Sequence, residues 1–301
     1  MKIGRTKAIF LIICTLTFVL GVSGQSRRAS RGSDSASTVL TVTASRDDKK
    51  SEPIKISNLY LYENGFEQRI QNFMIDPSPS RILILVDNSQ TLQTSIEKMQ
   101  KAAMEFAYEI FDGDQLFTIA YDEKAEIIQE WTDDPKKMDA AFSTFRKKGN
   151  PYLFDALNVA FKEVLLPLMP GTRKTAVVII SDGLDRGSKI SFENILAEMQ
   201  LQNVTIYGLQ LPDRTGGAYR RDKPKADTVM ERLAAETGGK VFPFDEAQSA
   251  AKSICDELRK NRYLLAYSPT NTAFYDARRL FLIADEGISV RLKLFQPPNV
   301  K

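Results

Sequence analysis

Two aspartates end short all-apolar runs, and together they could hold a hard cation. Arg81-Ile-Leu-Ile-Leu-Val-Asp87 continues into Asn88-Ser89-Gln90-Thr91, and Lys174-Thr-Ala-Val-Val-Ile-Ile-Ser-Asp182 continues into Gly183-Leu184-Asp185. Runs rich in Val and Ile without alternation read as strands buried on both faces, the mark of a parallel sheet under helices. Ligands of such sheets collect outside the carboxyl ends of the strands, where the strand order reverses. Mg²⁺ takes oxygen ligands and keeps some of its waters, so Asp87, Ser89, Thr91 and the distant Asp182 form a suitable shell. The competing reading makes both aspartates strand-end caps that accept hydrogen bonds from the turn that follows.

Positioning these groups requires alternating strands and helices, and the chain supplies them from Arg81 onward. Ile96, Met99, Ala103, Phe106 and Ile110 recur at helical spacing, and Asp112-Gly113-Asp114 stops that helix. Residues 115–121 and 125–131, split by a short polar turn, predict an antiparallel edge hairpin. Helices are expected at 135–145, 153–166, 191–201, 226–236 and 247–259, the last led by Asp245 as its N-cap. Strands are expected at 174–182, 204–211 and 241–244. Such alternation implies right-handed crossovers and a doubly wound, mostly parallel sheet.

Both flanks depart from this pattern. Residues 38–77 read as short strands around Glu63-Asn64-Gly65, a hairpin signal. Residues 263–301 hold three further strand-like runs, with Asp285-Glu286-Gly287 as a turn that should pair the last two. The two flanks are expected to join in one small antiparallel β domain.

Composition narrows the function classes. The 301-residue chain has no histidine, which removes His-based triads, His-ligated zinc and His general bases together. Lys2, Arg5 and Lys7, the apolar stretch 8–22 and Ser23-Gly24-Gln25 predict a secretory signal peptide over 1–24, followed by a polar tether over 25–37. This implies a secreted or periplasmic, cell-envelope location, with membrane attachment only through an uncleaved leader. Without the leader's three cations the acidic and basic residues balance, which argues against a nucleic-acid binder. Cys255 is then the sole cysteine, so no internal disulfide is available, and its helical setting suggests a small buried hydrophobe.

Asp87-Asn-Ser89-Gln-Thr91, Phe154-Asp155-Ala156-Leu157 and Ser181-Asp182-Gly183 resemble the three landmarks of von Willebrand factor A domains, over about residues 78–262. The flanks, with Tyr60-Leu-Tyr-Glu63-Asn-Gly65 and Tyr263-Leu-Leu-Ala-Tyr267-Ser-Pro269, are similar to a group of secreted bacterial proteins related to that family. The resemblance implies a metal-ion-dependent adhesion site holding Mg²⁺ (or Mn²⁺ or Ca²⁺) through Asp87, Ser89, Thr91 and Asp182. In the family such an ion keeps one position open for an acidic residue of a protein partner. One landmark departs from the pattern: Pro151 stands where the family commonly has a threonine ligand. Either Asn150 or a water substitutes, or the site binds metal weakly, or not at all. Asp155, at a helix start, reads as structural, and Asp185 as a solvated turn residue.

The reading favoured by these residues is an exported, non-enzymatic adhesion or scaffolding module that captures a protein partner at the strand-end rim. The basic, Gly-rich loop 212–225 lies after a strand on that rim; it reads either as a solvated loop or as one that presents Tyr219, Arg220 and Arg221 to an acidic protein or glycan. A second reading is a phosphatase of the haloacid-dehalogenase type with Asp87 as nucleophile. That chemistry needs an acid two residues on, where Ser89 stands. A third is a metal-free A domain with a purely structural role.

Overall fold

In the computed structural model, the described residues are 37–47, 52–169, 171–216, 224–270 and 276–298. The signal peptide and all but the end of the tether expected from sequence lie outside them, as do Tyr219, Arg220 and Arg221. Among the described residues no helix is long and apolar enough to cross a membrane.

The chain runs β1 (Thr38–Arg46), β2 (Leu59–Glu63), β3 (Phe66–Gln68), β4 (Ile70–Ile75), β5 (Ser80–Asp87) and α1 (Ile96–Glu109). It continues with β6 (Gln115–Tyr121), β7 (Ala125–Thr132), α2 (Pro135–Phe142), α3 (Leu153–Val159), β8 (Lys174–Ser181) and α4 (Phe192–Leu201). Then come β9 (Thr205–Gln210), α5 (Ala226–Thr237), β10 (Val241–Pro243), α6 (Ala247–Lys260), β11 (Arg262–Tyr267), β12 (Arg278–Ala284), β13 (Ile288–Leu292) and β14 (Phe295–Gln296). Helix α3 does not run evenly to 166: a wider π turn over Ala160–Leu165 and a 3₁₀ turn over Leu166–Leu168 complete it. Asp245 lies in a 3₁₀ turn rather than capping α6, whose N-cap is Glu246.

The central sheet has the order β10-β9-β8-β5-β6-β7, parallel throughout except for the edge strand β7. Alternate residues of β5 explain its unbroken apolar run. Ile82, Ile84 and Val86 face the core under α1 and α6, while Leu83 and Leu85 face the one under α3, α4 and α5. Chain order reverses between β5 and β8, because β6 follows on one side and β9 on the other. Register then sets the chemistry. Val86 pairs with Ile180, and Asp87 pairs with Tyr121, so Asp87 and Asp182 emerge side by side at the switch point.

The flanks do form β structure from both ends of the chain, as two four-stranded sheets, β13-β1-β11-β4 and β14-β12-β2-β3. They share a core of Leu40, Val42, Leu61, Leu265, Tyr267 and Leu280. Asn64 and Gly65, with φ of 51° and 84°, make the tight turn between β2 and β3. The expected pairing of the last two long strands is corrected here. β12 pairs with β2, and β13 crosses the 285–287 turn to pair with β1 in the other sheet. Packing two sheets over one core outweighs the local tendency of successive strands to form a hairpin.

A buried polar knot fastens these sheets to the central domain. The Glu257 carboxylate on α6 accepts hydrogen bonds from the hydroxyls of Tyr207 (2.5 Å) on β9 and Thr43 (3.1 Å) on β1, and pairs with Arg291 on β13. Arg262, 2% exposed, donates to the Tyr207 and Thr205 hydroxyls, both at 3.0 Å. Breaking a buried pair strands the remaining charge. Arg291 is partly exposed, so Glu257→Gln should cost roughly 2–3 kcal/mol in urea denaturation, the low side of such losses. Asp256→Asn, which breaks only the exposed pair with Lys260, should stay within about 0.5 kcal/mol.

Lys293 is 4% exposed and donates to the Gln200 carbonyl at 2.7 Å. Burial, helped by the positive charge of Arg278, lowers its ammonium to about 7. A base whose folded value is depressed releases its proton more easily when folded. Its contribution to stability is therefore full above the unfolded value and lost as pH falls toward 7. Comparing stability at pH 7 and pH 10, Lys293→Met should flatten the rise that the unaltered protein shows.

Candidate functional site

The strand-end oxygens converge. Asp87, Ser89 and Asp182 are each fully buried, and Thr91 follows on the same turn. The Asp87 Oδ1 accepts the Ser89 backbone N–H at 2.9 Å, and its Oδ2 accepts the Ser181 hydroxyl at 3.1 Å. Ser181 in turn accepts from the Tyr121 hydroxyl at 3.0 Å, linking β5, β8 and β6 through one chain of hydrogen bonds. The Asp182 Oδ1 accepts the Leu184 N–H at 3.0 Å. These local bonds are the caps that the competing sequence reading foresaw, and they are only part of the arrangement.

The cation at the centre of the cluster is Arg214. Its Nε and Nη2 reach the two oxygens of Asp182, the second at 2.8 Å. Nη2 also donates to Asp87 Oδ2 at 2.9 Å, while Nη1 donates to the Ser89 hydroxyl at 3.1 Å and to the Thr91 hydroxyl. The Arg214 side chain is 5% exposed, against 0% for both carboxylates. Thus the four residues expected to share one ion share one guanidinium. A guanidinium has five N–H donors, one on Nε and two on each terminal nitrogen. The contacts above match that number, so no donor is left pointing outward.

The loop after β9 delivers this side chain and is itself anchored. The Leu211 N–H donates to the Ser181 carbonyl at 3.0 Å, and the Gln210 amide donates to the Asp182 carbonyl at 2.8 Å. Asp213 folds back to accept from the Thr215 N–H at 2.7 Å and its hydroxyl at 2.6 Å, a short-range turn that fixes the residue between them. A second cation sits close by. Lys147 donates to the carbonyls of Leu92 and Thr94, bracing the segment beyond Thr91, and it feels the charge of Asp87.

Burial dominates the electrostatics. Desolvation raises the Asp87 carboxyl above its usual range, with Arg214 and Ser89 pulling the other way. Burial alone would lower the Arg214 guanidinium, but the hydrogen bond and charge of Asp182 and the charge of Asp87 outweigh it and leave it raised. Arg214 is therefore a permanent cation. Tyr121 is pushed well above its ordinary value by burial and then by Asp87, so its phenol stays protonated.

With Arg214 in place, the residues do not fit a divalent ion. Its donors take the oxygens that would ligate the metal, and none of those buried oxygens lacks a hydrogen bond. Among the described residues no group of three or more carboxylate, thiol or imidazole side chains could hold a metal. Pro151 offers only its carbonyl, which accepts the Arg186 N–H at 2.8 Å. The Asn150 side-chain NH2 donates to Glu123 at 3.0 Å. Asp155 is structural, accepting the N–H groups of Lys189 and Ile190 at 3.0 Å each. Asp185 differs from the solvated residue expected. It is 6% exposed and ties α3 to the following loop through Phe154 and Ser188.

Arg214 was missed in sequence because it sits 32 residues beyond Asp182 in a loop that reads as generically basic. The available signal was compound: a lost ligand at Pro151 together with a cation four residues past the end of β9.

A strand-end cluster of Asp-x-Ser-x-Thr and Ser-Asp-Gly at the switch point of a doubly wound sheet defines an α/β domain whose polar site lies at the carboxyl ends of its strands. The model of the von Willebrand factor type A domain matches residues 82–184, which span β5 to just past β8. Over those residues the chain matches a von Willebrand factor type A domain. Similar solved structures include an aerotolerance-related membrane protein from Bacteroides fragilis, 19% identical, covering 60% of this chain and 99% of its own, with a TM-score of 0.46. Proximal thread matrix protein 1 from the mussel byssus is 15% identical, covering 64% of this chain and 50% of its own at a TM-score of 0.46. The VWA domain of SpRpn10 is 14% identical, covering 60% and 97% at 0.44. A comparison with curated proteins finds no match.

The glycine of Ser181-Asp182-Gly183 has a steric reason. Its φ is +84°, and a Cβ there would lie 2.2 Å from the Ala226 carbonyl at the start of α5. Gly216 is also left-handed, at φ +62°, but opens onto free space. Gly216→Ala should therefore cost only the conformational penalty of about 1–2 kcal/mol. Gly183→Ala must also displace α5, and its denaturation midpoint should fall markedly further.

Proposed function

We propose that this chain is an exported, non-enzymatic module that captures a protein partner at the carboxyl-end rim of its central sheet, without a resident metal ion. The observation that carries this reading is the complete engagement of Asp87. Both of its oxygens accept hydrogen bonds, the side chain has no exposed surface, and Arg214 neutralises it. A carboxylate held in this way cannot attack phosphorus, which counts against the phosphatase reading. Ser89 in the place of the required acid counts against it as well.

Type A domains as a class are interaction modules, and the rim of this one is built for presentation. The loop that brings in Arg214 continues with Arg220, Arg221, Lys223 and Lys225 against a single Asp222. Arg214 is consumed internally, but the cations after it belong to the stretch best suited to an acidic surface. Export rests on the leader-like first 24 residues.

The mature protein should be used as bait in a pull-down, with and without chelator, followed by identification of what is retained. The expected result is a partner retained equally in both conditions and lost with Arg220→Ala/Arg221→Ala. Loss on chelation alone would return the metal-bridged reading. Hydrolysis of a generic phosphoester that disappears with Asp87→Asn would return the phosphatase.

A further inference from the structure

The sequence pattern calls for a divalent ion, yet the geometry contains a monovalent side chain in the same place. We propose that Arg214 is a built-in substitute for that ion. Tethered to the β9–α5 loop, it holds the strand-end rim in one fixed arrangement and conceals a latent divalent-cation site made of Asp87, Ser89, Thr91 and Asp182.

Four observations converge on this assignment. The guanidinium contacts every one of the four residues that the Asp-x-Ser-x-Thr and Ser-Asp-Gly pattern would commit to an ion. It is buried with them rather than laid across them, at 5% exposure. Its loop is independently fixed, by Leu211 and Gln210 on the β8 end and by the Asp213 turn, so its placement does not rest on the ion pair alone. Charge also balances. Two buried carboxylates would face the two charges of Mg²⁺; here they face Arg214, with Lys147 close enough for Asp87 to act on its ammonium.

The substitution has a consequence that an ion would not. A bound metal keeps exchangeable positions, whereas the five donors of Arg214 all end on the protein's own oxygens. A partner's carboxylate therefore finds no vacancy at this point, and the guanidinium serves to fix the rim rather than to bridge to a partner. The described start of the β9–α5 connection, up to Gly216, is held at the strand ends by the same contact. This goes beyond partner capture as such: it concerns which cation organises the rim, and it stands or falls whether or not a partner is found.

Titration calorimetry with Mn²⁺ tests it on the full mature chain. The unaltered protein should bind weakly or not at all, because the guanidinium must leave first and the apparent affinity falls with the fraction of open sites. Arg214→Ala should gain one Mn²⁺ site, tighter on the order of a hundredfold. That site should vanish in the Asp87→Asn/Arg214→Ala double variant, which ties the gain to these ligands. Arg214→Lys should show no gain, because an ammonium keeps the positive charge in the pocket.

If Arg214→Ala fails to fold in chelator, circular dichroism with added Mn²⁺ asks the same question, and recovery of the native spectrum supports the proposal. Tight Mn²⁺ binding by the unaltered protein would overturn it. So would an Arg214→Ala variant that is folded, or that stays unfolded with Mn²⁺, and shows no ion-dependent change. None of these outcomes depends on partner capture, so its failure and the failure of the proposed function can be told apart.

Discussion

Two carboxylates buried at adjacent strand ends form the constraint on which this domain turns. Neighbouring strands lie about 4.8 Å apart, so Asp87 and Asp182 bring two buried carboxyl groups close together at the switch point, where Arg214 pairs with both. The fold creates this juxtaposition for its own reasons. Parallel strands buried on both faces must stop where the chain order reverses, and the last residues have no apolar cover left. Polar side chains collect there, and Arg214 supplies a counter-charge from within the chain.

That solution reorganises the elements around it. The β9–α5 loop becomes part of the core of the site. Ser181 and Tyr121 extend the hydrogen-bond chain under it, and Lys147 secures the far side of the Asp87–Thr91 turn. The left-handed Gly183 lets α5 approach the strand end closely enough for its preceding loop to fold over. A second buried network around Glu257 and Arg262 does comparable work at the opposite problem, joining β9 and α6 to the sheets of the chain's two ends. In both places a buried charge is tolerated because several segments distant in sequence supply its partners, so each knot also specifies which segments must meet.

The doubly wound, mostly parallel sheet and the placement of Asp87, Ser89, Thr91 and Asp182 at its strand ends were legible in the residues because both follow from short-range pattern. An apolar run of five residues, Ile82 to Val86 or Ala176 to Ile180, announces a buried strand, and the polar residues after it announce the turn. Arg214 was not legible, since nothing local in the sequence distinguishes it from Arg220 and Arg221 in the same loop. Its role depends on the loop's path, which Leu211, Gln210 and Asp213 set through contacts invisible in one dimension. The misassigned pairing of β12 and β13 has the same origin. Asp285-Glu286-Gly287 is a turn, as read, but a turn does not say whether the strands beside it stay in one sheet. The shared core of Leu40, Leu61, Leu265 and Leu280 decides that, and its members lie far apart in the chain.

Replacing an ion by an arginine changes more than the charge. A hard divalent ion is drawn from solution, exchanges its waters and presents a vacancy that an incoming carboxylate can fill. A guanidinium is covalently supplied, carries a fixed planar fork of donors, and remains charged at any physiological pH. The first arrangement makes recognition answer to ion concentration and concentrates specificity on one acidic residue of the partner. The second removes both dependences, and on the proposed reading it leaves recognition to groups other than this cation. On that view Pro151 is not a damaged ligand position. Once Arg214 supplies the cation, a hydroxyl there has no ion to bind. The proline carbonyl instead holds Arg186, and the segment it begins leads directly into α3. If Arg214 serves as the cation of this site, as proposed, the departures from the metal-binding pattern at Pro151 and in the loop after β9 have a single cause.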